Sequence, residues 1–128
     1  MNNTILVAVT DIFFYTKVRD ALRPQGYTLE RIRNQEEVGE KTASVQPAAL
    51  ILNMNDLAVD AFQALETIQN NPALRALPIL AFANHEEVDT WRRAKELGVT
   101  KIVSRNEFSV RTKDLVEELI HPQPARQS

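Results

Sequence analysis

Five short apolar segments alternate with five segments of helical character, and this order constrains the fold more than any other feature of the chain. The central apolar segment, residues 49–52, follows Pro47 and stops abruptly at Asn53. A continuous apolar run bounded by turn-forming residues is typical of a strand that is buried on both faces. The other strands are predicted at residues 5–9, 27–33, 78–82 and 100–103.

Each predicted strand is followed by a predicted helix. Thr10 or Asp11 is expected to cap the first helix, which ends at Pro24-Gln25-Gly26, and Asn84 or His85 is expected to cap the fourth. The remaining helices are predicted at residues 36–45, from 60 to about 69, and 112–120. Regular strand–helix alternation predicts a parallel sheet with helices on both faces. Five such units match the flavodoxin-like α/β fold, a doubly wound five-stranded parallel sheet in the order 2-1-3-4-5 with five helices.

Composition narrows the class of protein. The chain has 128 residues, 44% of them hydrophobic, which suits one domain with a sizeable core. We expect that domain at residues 1–121 and a flexible tail at 122–128. A net charge of -2 argues against a nucleic-acid partner, and the absence of cysteine excludes disulfides and cysteine zinc sites. With no signal-peptide pattern and no membrane-length apolar run, we expect a cytoplasmic protein without a membrane partner.

Several short motifs occur in an order that resembles one known family. They are Gly26-Tyr27 after the first helix, Asp60-Ala61-Phe62 before the third, the connector at residues 71–79, and Ala94-Lys95-Glu96-Leu97-Gly98-Val99. Together with the strands they make residues 5–120 resemble the response-regulator receiver family. That resemblance implies a particular chemistry. Two acids after the first strand and an acceptor aspartate after the third hold magnesium, while a hydroxyl residue after the fourth strand and a lysine after the fifth bind the phosphoryl group.

This chain departs from the family pattern at each of those positions. The acid pair falls on Val9 and Thr10, and the acceptor falls on Asn53. The hydroxyl position falls on Ala83 and the lysine on Arg105, while Asp11 stands one place beyond the acid pair. A hard divalent cation needs several oxygen ligands, usually including carboxylates. The resemblance implies the fold, and the departures from it lead us to expect a degenerate receiver that is not an enzyme and has no metal, no cofactor and no phosphorylation switch.

For three of these residues, a simpler structural role stands beside the functional one. Asn53 either mimics a fixed functional state or is a polar strand end bonded to nearby backbone. Asp11 is either a residual metal ligand or a helix N-cap, and the cap is favoured. Arg105 is either an anion-binding group or an ordinary surface arginine, and the surface residue is favoured.

Trp91 and Ile102 are candidates for a partner face. In receivers the usual partner face is formed by the fourth helix, fifth strand and fifth helix, and Trp91 matches an outward position of that helix. An exposed tryptophan beside an apolar strand residue would anchor a protein interface. The alternative is that Trp91 folds back over the sheet edge as part of the core.

The resemblance predicts a stand-alone receiver-like domain in a bacterial two-component or phosphorelay-type pathway. It is expected to act by protein–protein interaction with a kinase, an output protein or itself, since no output domain follows Ile120. A homodimer is the form expected for self-association. One alternative is an active phosphoacceptor that uses Asp11 or Asp56. Another is a flavodoxin-like small-molecule or nucleotide binder, which is disfavoured because residues 10–15 contain no glycine for a phosphate loop.

Overall fold

The computed structural model describes residues 3–122 and contains a parallel sheet in the order β2-β1-β3-β4-β5. The strands are β1 Thr4–Ala8, β2 Thr28–Arg31, β3 Ala49–Asn53, β4 Ile79–Ala83 and β5 Lys101–Ser104. All four strand pairings are parallel. The predicted fold class and strand order are confirmed, with β1 ending one residue earlier and β2 shorter than expected.

Five α-helices follow the strands within the described residues. They are α1 Ile12–Leu22, α2 Gln35–Val45, α3 Ala61–Gln69, α4 Val88–Glu96 and α5 Arg105–Ile120. Short 3-10 segments at Arg23–Gln25 and Pro72–Leu74 follow α1 and α3. No helix among residues 3–122 is long and apolar enough to cross a membrane. The predicted tail, residues 122–128, lies outside the described residues except for Pro122.

Two apolar cores lie on opposite faces of the sheet because side chains alternate along each strand. Leu50 and Leu52 of β3 belong to the core that α2, α3 and α4 cover. Ile51, between them, belongs to the core that α1 and α5 cover. Every residue of β3 is buried, as the uninterrupted apolar run predicted. The end of β3 is therefore fixed rigidly at the centre of the sheet's carboxyl edge.

Short polar side chains begin four of the five helices. Asp11 caps α1, as predicted, and Asn34, Asp60 and Ser104 cap α2, α3 and α5 through side-chain bonds to backbone N–H groups. Each cap satisfies donors that the first helical turn leaves without an intrahelical partner. Gly26 ends the segment after α1 with φ 94°, a left-handed conformation that glycine adopts without steric cost.

Two predicted helix starts are wrong. Neither Asn84 nor His85 caps α4, because the N–H of Glu87 bonds to the carbonyl of Asn84 in a turn and the helix begins only at Val88. The last helix begins at Arg105 instead of residue 112. The Ser104 hydroxyl accepts the Glu107 N–H at 3.0 Å, and the helix continues through a kink at Arg111. Arg105 is consequently the first residue of a helix.

Candidate functional site

A pocket of about 500 Å³ opens at the carboxyl edge of the sheet, where ligands of open α/β folds usually bind. The loops after β1 and β3 and the first residue of α5 form its walls. Its lining residues are Thr10, Asp11, Asn53, Asn55, Asp56, Leu57 and Arg105. Four of the six residues predicted for the degenerate phosphoacceptor pocket are therefore brought together.

The other two predicted residues lie beneath the pocket. Val9 and Ala83 are both fully buried, Val9 in the core under α1 and α5, and Ala83 in the core on the opposite face. Neither lines the pocket. An apolar side chain that ends a central strand packs downward into a core, so these two positions contribute packing and no polar group.

Asn53 ends β3 at the floor of the pocket and is only 4% exposed. Its Oδ1 accepts the backbone N–H of Asn55 at 2.9 Å, which is the local bond expected of a polar strand end. Its Nδ2 has no hydrogen-bond acceptor among residues 3–122. The amide thus has a bonded oxygen and an available pair of donors.

Asp56 joins the two loops that form the pocket walls. Its Oδ1 accepts the backbone N–H of Thr10 at 2.8 Å, and the Thr10 hydroxyl lies 3.0 Å from Oδ1 and 2.9 Å from Oδ2. Oδ2 also accepts the N–H groups of Ala58 and Val59 at 3.0 Å and 3.1 Å. The carbonyl of Thr10 in turn accepts a bond from Arg31 at 3.1 Å. Sequence reasoning named Asp56 only as an alternative phosphoacceptor and missed this contact.

Asp11 lies at the mouth of the pocket but directs its carboxylate toward its own helix. Oδ1 accepts the N–H groups of Phe13 and Phe14 at 2.9 Å and 3.2 Å. This is the capping geometry that was favoured for Asp11, and a carboxylate at this place also suits the positive end of the helix dipole.

Arg105 carries the only cationic side chain that lines the pocket. Its guanidinium carbon lies 5.0 Å from the ring centre of Phe14 and 5.6 Å from that of Phe82. Those rings stack on each other at 4.8 Å, and Phe82 also stacks on Phe108 at 4.4 Å. Arg105 makes no ion pair with any residue from 3 to 122. It is a cation held on an aromatic platform rather than an ordinary solvated arginine.

Trp91, for which the sequence allowed both an exposed and a core position, is half-buried. Trp91 packs against the core beneath α3 and α4, and its indole N–H donates to the carbonyl of Asn84 at 2.9 Å. Ile102 is only 8% exposed. The N–H of Asn84 donates to Asn55 Oδ1 at 3.2 Å, so the loop before α4 is tied to the pocket wall. The proposed partner face around Trp91 and Ile102 consequently offers less apolar surface than the sequence suggested.

Comparisons with known proteins agree with this architecture. No family model matches the chain, and no curated protein matches it. Solved structures do match. A signal receiver domain of a response regulator from Bermanella marisrubri superposes with a TM-score of 0.83 at 16% identity, covering 94% of this chain and 100% of that one.

The chain has the fold of a receiver domain. The phosphorylated cyanobacterial phytochrome response regulator superposes with a TM-score of 0.82 at 15% identity, covering 97% of this chain and 98% of that one. The receiver domain of a sensor histidine kinase from Pseudomonas aeruginosa, with magnesium coordinated in its active site cleft, gives 0.80 at 14% identity, covering 94% and 98%.

The polar groups of this pocket fit poorly the magnesium ion that the receiver domain from Pseudomonas aeruginosa coordinates in its active site cleft. Both oxygens of Asp56 accept hydrogen bonds from Thr10, Ala58 or Val59. Asp11 Oδ2 is the one carboxylate oxygen of the lining without a hydrogen bond among residues 3–122. A small octahedral cation usually takes one or two carboxylates, and here it would also lie beside the positive charge of Arg105.

Proposed function

We propose that this chain is a receiver-like domain of a two-component-type signalling pathway that binds another protein without being phosphorylated. The observation that carries the proposal is Asn53 at the end of β3, where a receiver has its acceptor aspartate. A carboxamide is a poor nucleophile and carries no charge to share with a cation. The domain would act as a binding module and not as an enzyme, in the cytoplasm where such pathways transmit their signals.

The hydrogen bonding around Asn53 supports the same proposal. Asp56 uses both carboxylate oxygens in hydrogen bonds, and Asp11 uses Oδ1 to cap α1, so Asp11 Oδ2 is the one carboxylate oxygen of the pocket lining without a bond among residues 3–122. The structural neighbours that are phosphorylated or hold magnesium share the fold at 14–15% identity. A receiver fold without its acceptor would keep its partner-binding surfaces in one constitutive state. A constitutive binder avoids the affinity loss of a competent state that is rarely populated.

The proposal is tested by treating the protein with acetyl phosphate and magnesium and measuring its intact mass. We expect no added phosphoryl group, while the cyanobacterial phytochrome response regulator, treated in parallel, gains one. A stoichiometric gain of one phosphoryl group on this chain would overturn the proposal. Repeating the treatment with Asp56→Asn and Asp11→Asn would then identify the residue that accepts it.

Partner binding is tested separately from phosphorylation. The protein is immobilised and used to capture partners from the native cell, with and without prior treatment with acetyl phosphate. We expect the same captured proteins under both conditions. A partner that binds only after treatment would mean that a phosphorylation switch still operates.

A further inference from the structure

The polar groups of the pocket are almost all satisfied within the chain. Thr10, Asp11 and Asp56 hydrogen-bond to one another or to backbone, as described above. Asn55 uses both ends of its amide, since Nδ2 donates to Glu87 and Oδ1 accepts from Asn84. The groups without a partner among residues 3–122 are the Arg105 guanidinium, the Asn53 Nδ2 and the Oδ2 of Asp11, an exposed residue. The two groups on the less exposed residues, Arg105 and Asn53, are hydrogen-bond donors, so this part of the pocket can bind an acceptor.

Arg105 is arranged to bind an oxyanion in the plane of its guanidinium. Its guanidinium carbon lies over the Phe14 and Phe82 rings, and its N–H groups make no hydrogen bond or ion pair with residues 3–122, so they are available to a ligand. A carboxylate can accept two parallel bonds from such a fork. Of the two carboxylates of the pocket, Asp56 opposes an anion less, because both of its oxygens accept hydrogen bonds, whereas Asp11 uses only Oδ1.

Large apolar side chains surround the pocket. The described residues expose five large hydrophobic side chains, which are Ile12, Phe13, Leu57, Val88 and Val110. Leu57, fully exposed, lines the pocket itself, and Ile12 and Phe13 follow Asp11 directly. Val88 follows Glu87, whose carboxylate bonds to the pocket residue Asn55. Four of the five therefore lie on the loops and helix starts of one sheet edge, which is the pattern of an apolar contact surface around a polar centre.

We infer that this pocket and its apolar rim bind a segment of a partner protein that inserts an aspartate or glutamate side chain. The inserted carboxylate bonds to Arg105 and to Asn53 Nδ2. Apolar side chains that flank it on the partner cover Phe13 and Leu57. A free inorganic anion would satisfy the donors but leave the rim exposed to water, so the complementary ligand is an acidic residue within an apolar segment. This inference rests on the proposed function and names the surface and the chemistry of its partner.

The inference is tested with a display library of random peptides selected against the whole chain. We expect the enriched peptides to share an acidic residue flanked by leucine, isoleucine or phenylalanine. One enriched peptide is synthesised, and its affinity is measured by fluorescence anisotropy. Arg105→Gln and Leu57→Ser should each weaken binding by about tenfold or more, the effect of one charged hydrogen-bonded contact or one apolar anchor.

Matched variants separate the pocket from general surface effects. Arg92→Gln removes an exposed arginine of α4, and Val110→Ser removes an exposed apolar side chain of α5 outside the rim. Both should bind the peptide as the unchanged protein does. Replacing the acidic residue of the peptide by its amide should weaken binding to the unchanged protein but cause no further loss with Arg105→Gln. Circular dichroism verifies that each variant is folded, and Arg105→Lys, which keeps the charge but loses the fork, should bind with intermediate affinity.

Several results would overturn the inference. They are the absence of enriched peptides, enrichment of peptides without acidic residues, full affinity in Arg105→Gln, or displacement of the peptide by inorganic phosphate at similar affinity. The last result would identify a small-anion site. None of them bears on the acetyl phosphate experiment, so this surface can fail while phosphorylation-independent signalling stands.

Discussion

The carboxylate of Asp56 binds Thr10 through both the backbone N–H, at 2.8 Å, and the side-chain hydroxyl, at 2.9 Å. The two residues are 46 positions apart and lie on the loops after β3 and β1. A hydrogen-bonded carboxylate therefore connects the loop after β3 directly to the loop after β1.

Removing the Asp56 contact should destabilise the fold. Asp56→Asn replaces an acceptor oxygen with an amide group that faces N–H donors, and we expect a loss of about 2 kcal/mol in the free energy of unfolding. Thr10→Val removes only the hydroxyl and should cost about 1 kcal/mol. Urea denaturation followed by circular dichroism measures both. The double variant should lose less than the sum of the single losses, because the two side chains share one contact.

Asp20→Asn is the control for this series, since its carboxylate is largely exposed and pairs only with the neighbouring Arg19. It should change stability by a few tenths of a kcal/mol at most. Additive losses in the double variant would show that Thr10 and Asp56 stabilise the protein independently.

Asn53→Asp alone should not create a phosphoacceptor. The acid pair of the family would still be missing, since Val9 is fully buried in the core and Thr10 is bonded to Asp56. Without a metal site the phosphoryl group being transferred has no divalent cation to neutralise its charge. Intact mass after treatment with acetyl phosphate and magnesium should match that of the untreated variant. Gain of a phosphoryl group would mean that Arg105 and the remaining carboxylates are sufficient.

Trp91→Ala should lower stability because the side chain is half-buried against the core. Truncating a fully buried aromatic side chain typically costs 3–5 kcal/mol, so about 2 kcal/mol is expected here. Trp91→Phe keeps part of the packing and loses the indole bond to Asn84, so it should cost less than Trp91→Ala, about 1 kcal/mol. Unfolding curves measure both effects.

A role of Trp91 in binding a partner stays a prediction. Sedimentation of Trp91→Phe, which keeps the fold, checks self-association without the complication of partial unfolding. Weaker association of that variant would support the face formed by α4, β5 and α5, and unchanged association would argue against it.

Stability should fall at alkaline pH through Tyr27. Burial, and then the negative charge of Glu117 and its contact with the phenol oxygen at 3.2 Å, raise the pKa of Tyr27 above its usual value of 10.0. The neutral phenol is thus favoured in the folded protein. Its contribution is fully present below pH 10.0 and is lost as the pH rises through the folded pKa.

Urea denaturation from about pH 9 to pH 11 checks this dependence. Tyr27→Phe should lose less stability over that range than the unchanged protein. Glu117→Gln should lower the pKa of Tyr27 only part of the way, because burial remains the larger cause. An identical pH dependence in Tyr27→Phe and the unchanged protein would contradict the assignment.

Much of the site follows from the order of elements along the chain. Parallel strands place their carboxyl ends at one edge of the sheet, and the resemblance to receivers assigned Asn53, Asp11 and Arg105 to pocket positions at the ends of these strands. The cap formed by Asp11 is equally a local matter, since a carboxylate bonds to N–H groups two and three residues further along. Apolar runs and helix capping are determined by residues that are close together in the sequence.

Other features of the site depend on contacts between loops that are far apart in the sequence. The bond between Asp56 and Thr10, the platform of Phe14 and Phe82 under Arg105, and the fold of Trp91 toward Asn84 join segments that no sequence pattern pairs. The late start of α4 has the same origin, because residues 84–87 form a turn that bonds to Asn55, in the loop after β3, through the Glu87 carboxylate and the Asn84 N–H. The sequence by itself determined the layout of the sheet and the residue types at its carboxyl edge. Only the tertiary structure decided which of those polar groups satisfy one another, because their pairing depends on distances between loops remote along the chain.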